Sequence, residues 1–408
     1  MSKINEITRC EVCNNTYLQS VLDLGSHPMC DDLVEFSENR ACNQYPIEIL
    51  FCKVCKTAHQ RYQVPKDDLF PASYHYRARF TADVIKGMEN LVQSCEKMYG
   101  SLKGKLVLDI GCNDGSLLNL FKESGASTIG IEPTEACKDA QQEGHHVMCD
   151  FLSPKVADKL ISEYGHPDFI TFTNVFAHIE DLGVVLDSLR ILKHESTKLI
   201  IENHYLGSVL EGKQFDTFYH EHPRTYSYKS FCFIAKSLGL CIEAVEFPSR
   251  YGGNIRVMIG NQSNCISQEE SEKIESGEEN FFSDFVKLKV IIEKWKISKR
   301  QLIESIISKQ GKLSAKAFPG RAAILIKLLE LNEDHISNVY EKPGSLKIGH
   351  YVPGTRIPII SDDSYYAEDS KDSTILNLAW HISDEIKGYL KSRNFEGNVV
   401  DIISKDDF

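Results

Sequence analysis

The sequence predicts an α/β protein in three parts: a small N-terminal module, a central parallel sheet with helical crossovers, and a second, smaller α/β domain. Three observations carry that reading. Two Cys-x-x-Cys pairs bracket a stretch too short for a large core of its own. From residue 105 short apolar runs alternate with helix-length segments. After a charged, proline-free helical stretch from Ser267 to Gln310, the alternation resumes.

Cys10-Glu-Val-Cys13 and Cys52-Lys-Val-Cys55 each have the spacing that wraps one face of a tetrahedral ion. Together they predict one closed, structural zinc site, with no open position for substrate. A redox role would place one such pair at a helix start within a βαβ unit, whereas these flank a short, turn-rich stretch. Cys30 and Cys42, between the pairs, read as packing residues. The rest of the thirteen cysteines are scattered singly and read as reduced thiols. An aromatic connector follows, with Phe70, Tyr74, Tyr76 and Phe80 leading into a helical pattern through Val84, Met88 and Leu91.

In the central region Leu106–Ile110, Thr128–Ile131, Phe169–Thr173 and Leu199–Glu202 are expected strands. Leu182–Leu192 and Tyr228–Leu238 are the clearest helices. Ile242–Phe247 and Asn254–Ile259, joined by Pro248-Ser-Arg-Tyr-Gly-Gly253, are expected to close the sheet as a hairpin. Farther on, Lys312–Phe318, a helix over Arg321–Leu331, Ser337–Tyr340 and the turn-rich Tyr351-Val-Pro-Gly-Thr-Arg-Ile-Pro358 form the smaller domain. The tail Lys405-Asp-Asp-Phe is expected to be mobile.

The first central strand runs into Asp109-Ile-Gly-Cys-Asn-Asp-Gly115, whose glycines let backbone approach a ligand closely. Glu132 ends the next strand, where an acidic group can take both hydroxyls of a ribose. The turn matches neither Gly-x-Gly-x-x-Gly nor the lysine-containing phosphate loop, which favours an adenosine without phosphates. S-adenosylmethionine fits, with Asp109, Asn113 and Asp114 as polar neighbours of its sulfonium. Asp150 and Phe151 are placed to meet the adenine amino group and ring, Phe151 reading equally well as core. Gly111, Gly115 and Asn174 complete the candidate cofactor set.

About a hundred residues downstream, Phe218-Tyr219-His220-Glu221-His222 offers a phenol, a carboxylate and two imidazoles, the groups that move protons near neutral pH. In an extended segment Tyr219 and Glu221 would face away from His220 and His222. The candidates Tyr219, Glu221 and His222 converge only if this stretch is a turn. His220 reads as the structural member.

Together, the paired Cys-x-x-Cys, Val107-Leu-Asp-Ile-Gly-Cys-Asn-Asp-Gly115, Asn174-Val-Phe-Ala-His178, Tyr219-His-Glu-His222, Tyr251-Gly-Gly-Asn-Ile-Arg256 and Val352-Pro-Gly-Thr-Arg-Ile-Pro358 resemble the sugar C-methyltransferase family. The resemblance spans nearly the whole chain. It implies a zinc-binding domain (1–66), an S-adenosylmethionine-dependent methyltransferase domain (67–285) and a Rossmann-like C-terminal domain (286–408). It further implies methylation of a carbon of a nucleotide-linked keto-sugar, usually carried on thymidine diphosphate. By that resemblance His222 is the catalytic base beside Tyr219 and Glu221, while His178 and Tyr76, with Tyr74 as rival, face the sugar. Pro223-Arg-Thr-Tyr226 and Ala317-Phe-Pro-Gly-Arg-Ala322 depart from the family's pattern.

Methylating carbon needs a carbanion equivalent, so the expected chemistry is removal of the proton alpha to a ketone by His222. Glu221 would orient the imidazole, and His178 or Tyr219 would donate toward the enolate oxygen. Arg256 and Lys316 are candidates for a diphosphate, or simply solvated charges. A net charge of −12 without a basic block argues against a nucleic-acid partner. The absence of a long apolar run or signal-like start predicts a cytoplasmic protein that does not enter the membrane. The alternatives are an O- or N-methyltransferase, or a non-catalytic S-adenosylmethionine-binding zinc protein. Nothing in the sequence marks an oligomeric interface.

Overall fold

The structure is a computed structural model that describes residues 4–69, 77–80, 82–367 and 373–408. Two compact units divide the chain. The first holds residues 1–19, 50–212 and 221–282, the second residues 20–49, 213–220 and 283–408.

The first unit is built on a seven-stranded sheet of β1 (Leu106–Ile110), β2 (Ser127–Ile131), β3 (His146–Met148), β4 (Phe169–Thr173), β5 (Lys198–His204), β6 (Cys241–Glu246) and β7 (Asn254–Gly260). Their spatial order is β6-β7-β5-β4-β1-β2-β3. β1 to β5 are parallel, and β7 runs antiparallel to both β5 and β6, so the expected hairpin does close the sheet. The strands are apolar on both faces because both are covered. Leu108, Ile170, Ile201 and Val257 pack with helices Pro154–Tyr164, Leu182–Leu192 and Tyr228–Ser237. Their neighbours Val107, Phe169, Ile200 and Met258 face the opposite way, against helices Ala82–Tyr99 and Ser116–Glu123. This period-two alternation between two helical layers is the doubly wound, Rossmann-like arrangement.

The chain leaves β1 toward β2 and β3 on one side and returns to β4 on the other. The topological switch point therefore lies between the carboxyl ends of β1 and β4, where open α/β sheets bind ligands.

The cysteine-bearing residues of this unit pack on the same core: Cys10, Val12, Cys52 and Cys55 are all buried in it. Strand Ala58–Gln60 pairs antiparallel with Arg224–Thr225, with His59 opposite Arg224, and the Gln60 N–H donates to the Pro223 carbonyl at 2.8 Å.

The second unit has its own seven-stranded sheet, with β8 (Leu313–Lys316), β9 (Ile336–Glu341), β10 (His350–Tyr351), β11 (Pro358–Ser361), β12 (Thr374–Asn377) and β13 (Asn398–Asp401). Its order is β13-β12-β8-β9-β11-β10, and Val34–Glu35, from the N-terminal third of the chain, pairs onto β10 as the last strand. The 30-residue helix Phe281–Gln310 buries Trp295, whose indole N–H donates to the Ile402 carbonyl at 3.0 Å. The tail, expected to be mobile, is anchored: Lys405–Asp407 forms a 3-10 turn, and Asp407 pairs with the buried Lys299 at 2.9 Å. A buried ammonium without a carboxylate would be costly, which holds the chain end in place.

A second correction concerns the cysteines. Four of those expected to be free thiols form the disulfides Cys137–Cys149 and Cys241–Cys265. Their Cα atoms lie 5.7 and 5.6 Å apart, within the span a disulfide bridges. The fold, not local spacing, brings them together. Among the described residues no helix is long and apolar enough to cross a membrane.

Candidate active site and zinc centre

The carboxyl edge of the first sheet gathers the cofactor candidates. Gly111 adopts φ 71°, and a Cβ there would sit 2.6 Å from the Val175 side chain, so the turn after β1 needs a residue without one. Asn113 (φ 50°) and Asn174 (φ 55°) hold left-handed conformations that asparagine tolerates better than most residues, and Gly115 (φ 81°) opens helix Ser116–Glu123. Glu132 is buried just past β2. One of its carboxylate oxygens accepts from the Asn113 N–H at 3.0 Å, and the other from Thr134 N–H and hydroxyl at 2.9 and 2.6 Å. Asp114 accepts from the Arg79 N–H at 2.9 Å. Asp150, past β3, is exposed; Phe151 is half-buried rather than core, with the Lys66 ammonium 4.2 Å from its ring centre.

Asp109, like Asp114 and Glu132, is buried. Burial pushes its carboxyl up to about 7; the Thr171 hydroxyl, donating at 2.6 Å from the opposed position on β4, works against that shift, and Glu132 adds to it. Asn174 is held from below: Asn254 donates to its side-chain oxygen at 3.2 Å and to Glu202 at 3.0 Å. Glu202 in turn takes Arg256 at 2.7 Å, and Arg256 also reaches Glu246 at 2.6 Å. Arg256 is thus a buried structural cation with its charge spent. Lys316 is likewise buried, paired with Asp362 at 2.5 Å. Neither is a solvated charge.

Residues 219–221 form a bend and turn, the conformation that the acid-base candidates require. Tyr219 is half-buried and clusters with the second unit, while Glu221 and His222 belong to the first and are buried. His220 is buried with its Nε2 3.1 Å from the Tyr45 carbonyl, and burial pushes its imidazole down to about 4. His178 lies in the 3-10 turn after β4, and its Nδ1 is 2.7 Å from the Glu221 carbonyl. A carbonyl only accepts, so it is the Nδ1-protonated form of His178 that donates to Glu221. Desolvation pushes this imidazole down to about 4, against the carbonyls of Glu221 and Asn174, which favour its charged form. Its ring lies 4.8 Å from that of His222. Tyr76 and its rival Tyr74 lie outside the described residues.

Sequence reasoning missed His204. It ends β5, and its ring centre lies 5.4 Å from that of His222. Its place at the carboxyl end of a strand beside the cofactor edge was the available signal.

The four sulfurs of Cys10, Cys13, Cys52 and Cys55 lie within 4.8 Å of one another, Cys10 and Cys55 at 3.3 Å and Cys13 and Cys52 at 3.6 Å. Tetrahedral zinc with bonds of about 2.3 Å separates its sulfurs by roughly 3.8 Å, so the set fits a closed, structural ion. A buried polar network surrounds it. His59 Nε2 is 3.3 Å from Cys10 Sγ, and its Nδ1 is 3.5 Å from Glu11. Glu11 also pairs with the fully buried Arg224 at 2.7 Å. Burial raises the Glu11 carboxyl, but the Arg224 charge together with His59 and the Gln63 hydrogen bond outweighs it and brings the group down to about 2. Ser227 and Ser230 hydroxyls both donate to the Cys55 carbonyl at 3.2 Å.

Three family models match the chain in series: a zinc binding domain over residues 10–70, a methyltransferase domain over 76–245 and a C-methyltransferase C-terminal domain over 249–402. The C-methyltransferase NovU of Streptomyces niveus is 26% identical over 395 residues, covering 94% of this chain and 92% of that protein. A ubiquinone biosynthesis O-methyltransferase of Nitrobacter winogradskyi is 34% identical over only 89 residues, 21% of this chain and 33% of that protein. Magnesium protoporphyrin IX methyltransferase of Synechocystis, solved with bound S-adenosylmethionine, is 18% identical, with a TM-score of 0.34 over 44% of this chain and 80% of that one.

Two outcomes are expected. Because the Asp109 carboxyl is raised, its contribution to stability is present at low pH and is lost as pH rises from about 4 to about 7. Relative to Asp109→Asn, the wild type should lose about 2 to 4 kcal/mol across that window, read by urea unfolding at each pH. Arg224→Met strands Glu11 and should cost about 3 kcal/mol while the bound zinc stoichiometry stays at one.

Proposed function

We propose that this chain, which belongs to the S-adenosylmethionine-dependent C-methyltransferase family, methylates a carbon alpha to the ketone of a nucleotide-linked 4-keto-6-deoxy sugar, with His222 as the base. The observation that supports it best is the buried His222, set in the turn beside His178 at the edge that carries the cofactor candidates. The motif set that resembles sugar C-methyltransferases supplies the substrate class, with thymidine diphosphate as the expected carrier. The division into residues 1–66, 67–285 and 286–408 accompanies this reading.

Asp109, Gly111, Asn113, Asp114, Gly115, Glu132, Asp150, Phe151 and Asn174 would hold S-adenosylmethionine. It would supply an electrophilic methyl group there. His222 takes the proton alpha to the ketone, and the charge moves onto oxygen as an enolate. Glu221, its chain neighbour, orients the imidazole. His178, with its Nδ1 2.7 Å from the Glu221 carbonyl, also steadies the turn. His178 or Tyr219 donates toward the enolate oxygen, with Tyr76 toward the sugar. Holding carbon and methyl in line contributes much of the remaining rate. O-methyltransferase similarity confined to about a fifth of the chain disfavours a heteroatom acceptor.

The test is mass spectrometry in deuterated water with a panel of such sugars. The wild type should take up deuterium at the carbon without cofactor and add one methyl group with it. His222→Asn should lose both by at least about a hundredfold, the usual span of general-base catalysis. Uptake that persists in His222→Asn would remove His222 as base.

A further inference from the structure

We propose that His204 is a positioning residue for the base: its imidazole takes up the site's first proton and, by its charge, keeps His222 neutral as pH falls. The role in catalysis rests on the reading of His222 as base.

Three imidazoles come together from three elements, His178 from the turn after β4, His222 from the acid-base turn, and His204 from the end of β5. The His222 ring lies 4.8 Å from that of His178 and 5.4 Å from that of His204 by ring centres. The three differ in what they can do with a proton. His178 has its Nδ1 on a backbone carbonyl, and desolvation holds it neutral to about pH 4. His222 is buried, with only 5% of its surface exposed, so charging it costs desolvation. His204 is partly exposed at the strand end and can be charged with solvent at its side. Two imidazoles this close cannot both ionise freely, so the first proton goes to the better-solvated ring and disfavours a second.

Among the described residues, the carboxylates flanking His204 on its own and the adjoining strands are themselves paired. Glu202, two residues before His204 on β5, is neutralised by Arg256 at 2.7 Å, with Arg250 of the β6–β7 connection at 3.6 Å. Glu246 on β6 is also taken by Arg256. The residue paired with His204 on β7 is the uncharged Asn254. Glu221, which precedes His222, is retained in every variant considered, so it does not distinguish them. For a base that must be neutral before it can act, a cationic neighbour widens the pH range in which it is ready.

Histidine-selective isotope labelling and NMR titration of the zinc-loaded, full-length protein test this without any substrate. In His204→Gln the His222 signal should titrate roughly one pH unit higher than in the wild type, the shift a nearby like charge typically causes. His204→Phe, which keeps a ring but not the charge, should give the same shift. His204 takes its proton while His222 is still neutral, so His222→Asn should leave the His204 titration nearly where it is. An unchanged His222 titration in His204→Gln, or a shift in Gln that Phe abolishes, would overturn the proposal. Failure of His222 as base shows elsewhere, as deuterium uptake that survives His222→Asn, and leaves the imidazole coupling standing.

Discussion

Two residues beyond His222 the chain becomes a strand, and the partner of that strand is the zinc module. Arg224–Thr225 pairs with Ala58–Gln60, and Arg224 is buried on Glu11, which sits between the first two zinc-ligand candidates. A short turn rich in titratable groups would not hold one conformation by itself, because it buries too little to offset its backbone entropy. Here its downstream end is fixed by ladder bonds, by a buried ion pair, and by the Ser227 and Ser230 hydroxyls on the Cys55 carbonyl. Its Glu221 carbonyl is fixed by His178. The zinc site, remote from the chemistry in sequence, thus bears on the geometry of the proposed base.

The carboxyl edge of the first sheet carries a different constraint, the accumulation of buried carboxyls. Asp109, Asp114 and Glu132 are all nearly inaccessible, and like charges so placed oppose one another. The sequence meets this with backbone N–H donors from Asn113, Thr134 and Arg79, and by letting Asp109 retain a proton near neutral pH. A cationic sulfonium is a natural complement to such an edge. Below it, Glu202, Arg256 and Asn254 form a fully buried polar floor whose upper member, Asn254, reaches Asn174.

Much of this was legible in the chain because it rests on local pattern. β1 and β4 fall on the apolar runs read for them, helix Leu182–Leu192 has the predicted limits, and the four ligand cysteines gather as their spacing required. What stayed hidden is what only tertiary structure decides. The pairing of Val34–Glu35 with the second sheet and the disulfides at Cys137–Cys149 and Cys241–Cys265 join residues with no mutual signal. Arg256 read as an available charge, since nothing in a lone arginine reveals that two carboxylates already surround it. His204 carried no motif; only the fold brings it against His222.

The dependence of the acid-base turn on the zinc module is most directly measured by hydrogen–deuterium exchange after zinc is withdrawn with a chelator. Amides of residues 57–61 and 224–227 should lose protection together, while those of β1, β4 and β5 keep theirs. Protection of 224–227 that survives after 57–61 has opened would contradict the account and leave the turn held by the methyltransferase sheet alone.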